Sequence, residues 1–363
     1  MGMAAVRAYA VVGTTAVPVR VEAHVRPGLP GMTVVGLPGA TVREARERVR
    51  SSAVSSGLPL PTRRITVNLS PADVRKESPG FDLPVALAVL GASGYLAGRA
   101  LRRVGAVGEL ALDGGVRVVR GMLPVAEAAR DDRIELLVVP VWGLPEVSCV
   151  EGVEAVGVAS LAEAVGALRD GRTRERLQER GRRWMARLPR IDAEIRSGCD
   201  LADIAGHGRA RRALEVAAAG GHHVLLAGPP GSGKTMLARR LPSIQPPLDE
   251  DEALEVTRVW SVAGLHRPED GLVRRRPFRA PHHSASRAAL IGGGPALRPG
   301  EVSLAHRGVL FLDELPEFAR DTLEALRQPL EEDLVVISRG RGSVVMPAGF
   351  TLIAAMNPCP CRF

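Results

Sequence analysis

"HVLLAGPPGSGKTMLARRL", residues 222–240, contains one of only two lysines in a chain of 363 residues that carries 48 basic side chains. The other is Lys76. Gly228, Pro229, Pro230, Gly231, Ser232, Gly233, Lys234 and Thr235 match the pattern G-x-x-x-x-G-K-[ST], with a strand-like apolar run before them and a helical run from Thr235 and Met236 onward. Each part has a physical purpose. Glycines let backbone N–H groups close round phosphates, a helix start adds unpaired donors, and the Thr235 hydroxyl can ligate Mg²⁺. Lys234 brings a compact ammonium to the outer phosphates, where a guanidinium is wider and prefers a two-pronged partner. The stretch therefore predicts an α/β domain built on a parallel sheet.

Downstream, Val309 to Leu312 reads as a buried strand that ends in Asp313 and Glu314. Two carboxylates then emerge at the strand's carboxyl end, the edge at which α/β sheets place ligands. Asp313 would hold Mg²⁺ through water, and Glu314 would orient and deprotonate an attacking water. A third strand, "FTLIAAMN" (350–357), delivers Asn357 to the same edge to position the terminal phosphate or that water. An asparagine capping the turn before Pro358 is the alternative.

Composition bounds the rest. The length exceeds what one core usually supports, and a 45% hydrophobic content supplies two. Cys149, Cys199, Cys359 and Cys361 are too few and scattered for a disulfide framework, and the start has no signal-peptide layout, so a cytoplasmic setting is expected. The longest apolar stretch is broken by Pro84 and several glycines, and no membrane span is expected. The formal charge of +8 rests on arginine, which suits phosphate backbones, while 3% aromatics argues against stacking single-stranded bases. A genome rich in G and C would also convert lysine to arginine.

Residues 1–170 alternate β-rich runs ("VPVRVEAHV", "RRITVNLS", "VRVVRG", "IELLVVP") with helical patterns at 41–55, 83–97 and 122–131, which predicts one α+β or α/β domain. Residues 168–190 are dense in both charges and read as a solvated helical linker or domain boundary, with the linker placed at 171–200. The second domain takes 201–363, opening with a helix that carries Ala210, Ala213, Leu214, Ala217 and Ala218 at helical spacing.

Three strands ending in a P-loop, Asp-Glu and Asn resemble the nucleotide-site set of an AAA+ ATPase. "DIAGHGRARRALEVAAAGGHHVLLAGPPGSGKTMLARRLP", "RPFRAPHHSASRAALIGGG", "PGEVSLAHRGVLFLDELPEF" and "AAMNPCPC" resemble the magnesium-chelatase-like AAA+ ATPases of the YifB/ComM type, over essentially the whole chain. The resemblance implies ATP and Mg²⁺ as cofactors, an adenine-side element at Ile204 and Gly206, and self-association into a ring, hexameric in the family. Residues 1–170 resemble the Lon-protease-like domain (ribosomal protein S5 domain 2-like) of the same family. Gly80 and Val125 stand where Lon carries its serine and lysine, so the dyad is missing; Lys76 and Ser78 lie near but not at those positions.

The same resemblance makes Arg274, Arg275, Arg276 and Arg279 an insertion facing the ring's centre, where they would grip a DNA backbone; a solvated basic loop is the other reading. His282 and His283 have no carboxylate or cysteine at ligand spacing, and no metal is assigned to them. Cys359 and Cys361 are half of a four-thiolate set that the family completes further on. The arginine finger and the helical lid also follow later in family members, so the chain reads as truncated before its lid and weak in turnover. Branch migration of DNA in recombination or natural transformation is the function so implied. A magnesium-chelatase motor ranks second, because that motor resembles only residues 201–363, and an ATP-dependent peptidase third.

Overall fold

Val19, Val21, Ala23 and Val25 alternate with Arg20, Glu22, His24 and Arg26, and a period of two sends the first set to one face of a strand. The computed structural model describes residues 2–188, 200–267, 270–294, 297–339 and 342–358. It buries all four apolar residues of that set on β2 (Thr15–Arg26). β2 folds back on β1 (Gly2–Val12) as a long antiparallel hairpin with Val12 opposite Thr15. The sheet adds β3 (Gly31–Val35), β4 (Arg64–Ser70) and β5 (Val104–Ala106). Past a short ribbon of β6 (Glu109–Leu110) and β7 (Val116–Arg117) come β8 (Leu136–Pro140) and β9 (Ala155–Val158). The seven-stranded order is β3-β4-β2-β1-β5-β8-β9.

Three helices, α1 (Ala40–Ser55), α2 (Asp82–Ala92) and α3 (Met122–Asp131), pack with this sheet. "DLPVALAVLGA" is apolar on every side, as a helix buried all round must be, and α2 lies against β1 and β2. It stops at Ala92, short of the expected 97, where Ser93 and Gly94 take over. Its first residue, Asp82, is fully buried and gripped by Arg48, with Nε–Oδ2 at 2.6 Å and Nη2–Oδ1 at 3.0 Å, while Leu110 N–H donates to the same carboxylate. Such a pair is held in place mainly because removing one partner strands the other.

Lys76 is fully buried. Its ammonium donates to the carbonyls of Gly36 (3.0 Å), Leu69 (3.3 Å) and Pro71, which uses all three of its hydrogens. Ser78 caps the turn Pro79–Phe81 by accepting from Gly80 N–H at 3.1 Å. A Cβ on Gly80 would stand 3.0 Å from Val107 and 3.2 Å from Val119, and Val125 is buried on α3. The chemistry-bearing side chains of this region are thus structural ties.

The chain divides into a first unit of residues 1–190 with 266–271 and a second of 191–265 with 272–363. The first unit also holds α4 (Leu144–Val147), α5 (Leu161–Arg169) and α6 (Gly171–Met185). The charged stretch read as a helical linker or domain boundary is helical through Met185, and the division between the units falls after it. Leu177 reaches the first core, and the charges pair along the surface, Arg180 with Glu163 and Arg182 and Arg183 with Glu179.

In the second unit, α7 (Gly208–Gly220) buries Leu214, Ala217 and Ala218, while Ala213 of the expected apolar face is exposed. β10 (Val224–Ala227) and α8 (Lys234–Ala238) follow, then β11 (Phe278–Arg279), a ribbon of β12 (Gly292–Gly293) and β13 (Arg298–Pro299), and β14 (Val309–Leu312). A hairpin of β15 (Leu334–Arg339) and β16 (Gly342–Pro347) precedes β17 (Thr351–Met356). Four of these form a parallel sheet of order β10-β17-β14-β11. No described helix is long and apolar enough to cross a membrane.

His306 ties this unit together from inside. Its Nδ1 accepts from Gly349 N–H at 3.0 Å, which places its proton on Nε2, 3.1 Å from Glu255. Burial pushes the imidazole below its ordinary value of 6.5, despite the pull of Glu255. A depressed value means that the folded state binds fewer protons than the unfolded one just below 6.5. Its stabilising contribution is accordingly present above that pH and lost as pH falls through the folded value. Urea midpoints at pH about 7.5 and about 5 should therefore differ more in the parent chain than in His306→Asn; equal differences would contradict this role.

Candidate functional site

Parallel pairing with short offsets makes the four strands of the second sheet finish at one edge. Ala227 pairs with Met356, Leu312 with Ala354, and Arg279 with Leu310. What each strand delivers there follows from the next residues in sequence: Gly228–Thr235 after β10, Asn357 after β17, Asp313 and Glu314 after β14, and the segment 280–283 after β11.

Gly228 N–H still bonds Met356 O at 3.3 Å, so the sheet ladder fixes the first residue of the loop. Gly231 (φ 77°) and Gly233 (φ 78°) then adopt left-handed backbone that side chains resist, and Gly233 starts α8. Lys234 Nζ donates to Gly228 O at 2.7 Å, to Pro229 O at 3.0 Å and to Asn357 Oδ1 at 3.0 Å. The lysine and the asparagine expected at one edge thus touch.

Thr235 Oγ1 donates to Asp313 Oδ2 at 2.7 Å, and the other oxygen of Asp313 accepts from Glu314 N–H at 3.0 Å. Magnesium takes hard oxygens at about 2.1 Å in an octahedron, which puts neighbouring ligand oxygens about 3 Å apart. Thr235 Oγ1 would offer one such oxygen while Asp313 accepts its hydrogen bond and would reach the ion through water, and the residues present fit the ion. Glu314 sits in left-handed backbone (φ 52°, ψ 47°), a conformation that costs a non-glycine residue roughly 1–3 kcal/mol and gathers at functional sites.

Ile204 is buried in the second core beside Leu201, Leu214 and Leu237, so its side chain supports the loop and its helix from below. Gly206 (φ 75°) and His207 (φ 52°) turn the chain into α7. A Cβ on Gly233 would meet Met236 Cε at 3.2 Å and His207 Nε2 at 3.6 Å. Met236 thus lies beside the loop; His207, which sequence reasoning did not single out, is brought there by the αL turn after Gly206.

The four arginines divide. Arg276 donates to Pro246 O (2.6 Å) and Arg307 O (2.7 Å) and pairs with Glu252 (3.1 Å). Arg279 forks onto Glu301 at 2.6 and 2.9 Å. Both guanidinium groups are engaged by internal partners, which corrects their assignment to a backbone grip, and β11 is a half-buried edge strand of the sheet where an insertion was expected. Arg274 and Arg275 are exposed. Cys359 and Cys361 lie outside the described residues.

His283 Nδ1 stands 3.0 Å from Glu314 Oε2. Pairing of 278 with 309 and 279 with 310 sets an offset of 31 residues that also relates 283 to 314. No local spacing announces a partner so far along the chain.

Residues 200–363 match the family described as magnesium chelatase, subunit ChlI, and residues 21–142 the one described as subunit ChlI of Mg-chelatase. An uncharacterized protein of Mycobacterium tuberculosis is 47% identical over 94% of this chain and 66% of its own length. Protein YifB of Escherichia coli is 45% identical over 99% of this chain and 69% of its own. The competence protein ComM of Haemophilus influenzae is 43% identical with the same coverage. This chain belongs to the YifB/ComM-type magnesium-chelatase-like family. It spans 66% to 69% of these relatives' lengths.

A magnesium-chelatase 67 kDa subunit of Heliobacterium mobile is 30% identical over only 44% of this chain, while residues 21–142 match a family described by the chelatase subunit. The division of the arginines is testable. Arg279→Ala leaves Glu301 without its fork and should lower stability by about 1–3 kcal/mol, whereas Arg274→Ala and Arg275→Ala should stay within about 0.5 kcal/mol. Urea unfolding of the three variants checks this, and equal midpoints would refute it.

Proposed function

We propose that this chain is an AAA+ ATPase that binds ATP with Mg²⁺, hydrolyses it, and couples the cycle to remodelling of DNA. The observation that carries the ATPase half is the pair of links across one sheet edge, Thr235 to Asp313 and Lys234 to Asn357. Backbone N–H groups of 228–235 and the Lys234 ammonium would hold the phosphates. Thr235 and Asp313 would hold Mg²⁺, which when bound supplies Lewis-acid neutralisation of the phosphate oxygens. Glu314 would take the proton of the attacking water, and Asn357 would orient that water or the terminal phosphate. Ile204 and Gly206 would form the adenine side of the site, with His207 and Met236 flanking Gly233.

DNA as the remodelled partner, with branch migration as the form of remodelling, draws on two things. A relative is named for competence, and Arg274 and Arg275 remain exposed ahead of β11. A ring, hexameric by family likeness, would bring several such pairs to one strand. The matches to families named for a chelatase subunit favour a second reading, a motor for metal insertion, and loss of tetrapyrrole synthesis on deletion would select it. The peptidase reading has no support left, since Lys76 and Ser78 are committed to backbone partners.

Lys234→Ala should abolish binding of a fluorescent ATP analogue with the thermal midpoint nearly unchanged; unaltered affinity would refute the phosphate assignment. For DNA, anisotropy titrations should show affinity falling steeply with salt, and Arg274→Ala with Arg275→Ala should flatten the log–log slope by roughly one for each phosphate no longer neutralised. A salt-independent affinity would remove DNA from the proposal.

A further inference from the structure

Half of the alternation on β2 is left over by the core. Val19, Val21, Ala23 and Val25 enter it, so Arg20, Glu22, His24 and Arg26 stand on the other face of the first sheet. Register extends that face across the neighbouring strands. Arg26 lies directly opposite Arg64 of β4, His24 opposite Thr66 and Glu22 opposite Asn68, with Thr33 of β3 level with Thr66. Helix α3 covers one end of the face, where Tyr9 is buried and Asp132, at the close of the helix, takes Arg7 Nε at 2.6 Å. Away from that end the face is open, and Arg26, Arg64, His24 and Thr33 are all exposed.

Its free charge is all of one sign. Glu22 is taken by Arg20 at 3.0 Å and by the Asn68 amide at 3.2 Å. Among the described residues no carboxylate pairs with Arg26, with Arg64 or with the adjoining, exposed Arg63. Like charges directly opposite on paired strands oppose folding, so Arg26 across from Arg64 is an arrangement that folding alone disfavours. A polyanion laid on the face would relieve it. Thr33 and Thr66 set hydroxyls beside the guanidinium groups, the company in which arginine holds phosphate oxygens. These rows of the register hold no aromatic ring on which an unpaired base could stack, which favours a duplex over a single strand. A second copy presenting the same face would set arginine against arginine. We propose that the open sheet face of the first unit binds the phosphate backbone of double-stranded DNA, with Arg26 and Arg64 each neutralising a phosphate. This contact is separate from Arg274 and Arg275 and lies outside the unit that carries the nucleotide loop; it rests on the DNA reading above for the identity of the polymer.

Anisotropy titrations of a fluorescein-labelled duplex with the full chain, repeated over a range of salt, test it. Arg26→Ala combined with Arg64→Ala should flatten the log–log slope by roughly two. The urea midpoint should stay level or rise, since a like-charge pair has gone. Arg43→Ala combined with Arg50→Ala removes the same charge from exposed positions on α1, and should leave the slope of the parent chain. Where the parent chain binds the duplex, a parental slope in the Arg26 and Arg64 variant overturns this inference alone. So does equal flattening by the α1 variant, which would make the effect one of net charge. A parental slope accompanied by weaker self-association in sedimentation overturns it too, and assigns the face to a protein neighbour. A parent chain that ignores the duplex, or binds it independently of salt, overturns the DNA reading and this inference with it.

Discussion

Parallel pairing is the constraint on which the second unit depends. Strands that run the same way, with small register offsets, must end together, and the loops that follow are forced into one neighbourhood however far apart they lie in sequence. Residues 228–235, 283, 313–314 and 357 meet for that reason. Apolar strand interiors such as Val309–Leu312, all buried, make the register costly to slip and so keep the polar termini level.

Around that edge the polar groups are arranged in linked pairs. Lys234 joins the loop to the end of β17, Thr235 joins its helix to the end of β14, and His283 joins β11 to the same place. Two of these links join neighbouring strand ends, and the Thr235 link passes β17 to reach β14. The left-handed backbone at Glu314 adds local strain that the surrounding pairs must over-determine, which is where function tends to store it. The first unit follows a different logic. There Lys76 is satisfied by backbone carbonyls, and the buried carboxylate of Asp82 by the half-buried Arg48 and a backbone N–H.

Much of this was legible in the sequence. The strands at 224–227, 309–312 and 351–356 lie within the predicted runs, because each is a short apolar stretch bounded by chemistry that only a strand end explains. Helices α1 and α3 follow their periodicity closely. What escaped has one cause, since the missing information is carried by partners distant in the chain. A two-residue strand such as β11 has no period to read, and the arginines around it look like a solvated run until Glu252 and Glu301 are folded against them. The charged stretch from 171 looked like a linker because its apolar face is reduced to Leu177 and Gly181. His207 and His283 belong to the site through a backbone turn and a register offset, and neither leaves a mark in local spacing.

The burial of Lys76 has a further consequence. Of the two lysines, one has its nitrogen sealed among three carbonyls and the other stands at the mouth of the loop. Reagents that acylate or reductively alkylate amines thus have a single accessible lysine in the folded chain, apart from the α-amino group. Labelling at that lysine, without any substitution, becomes a readout of whether its nitrogen is covered.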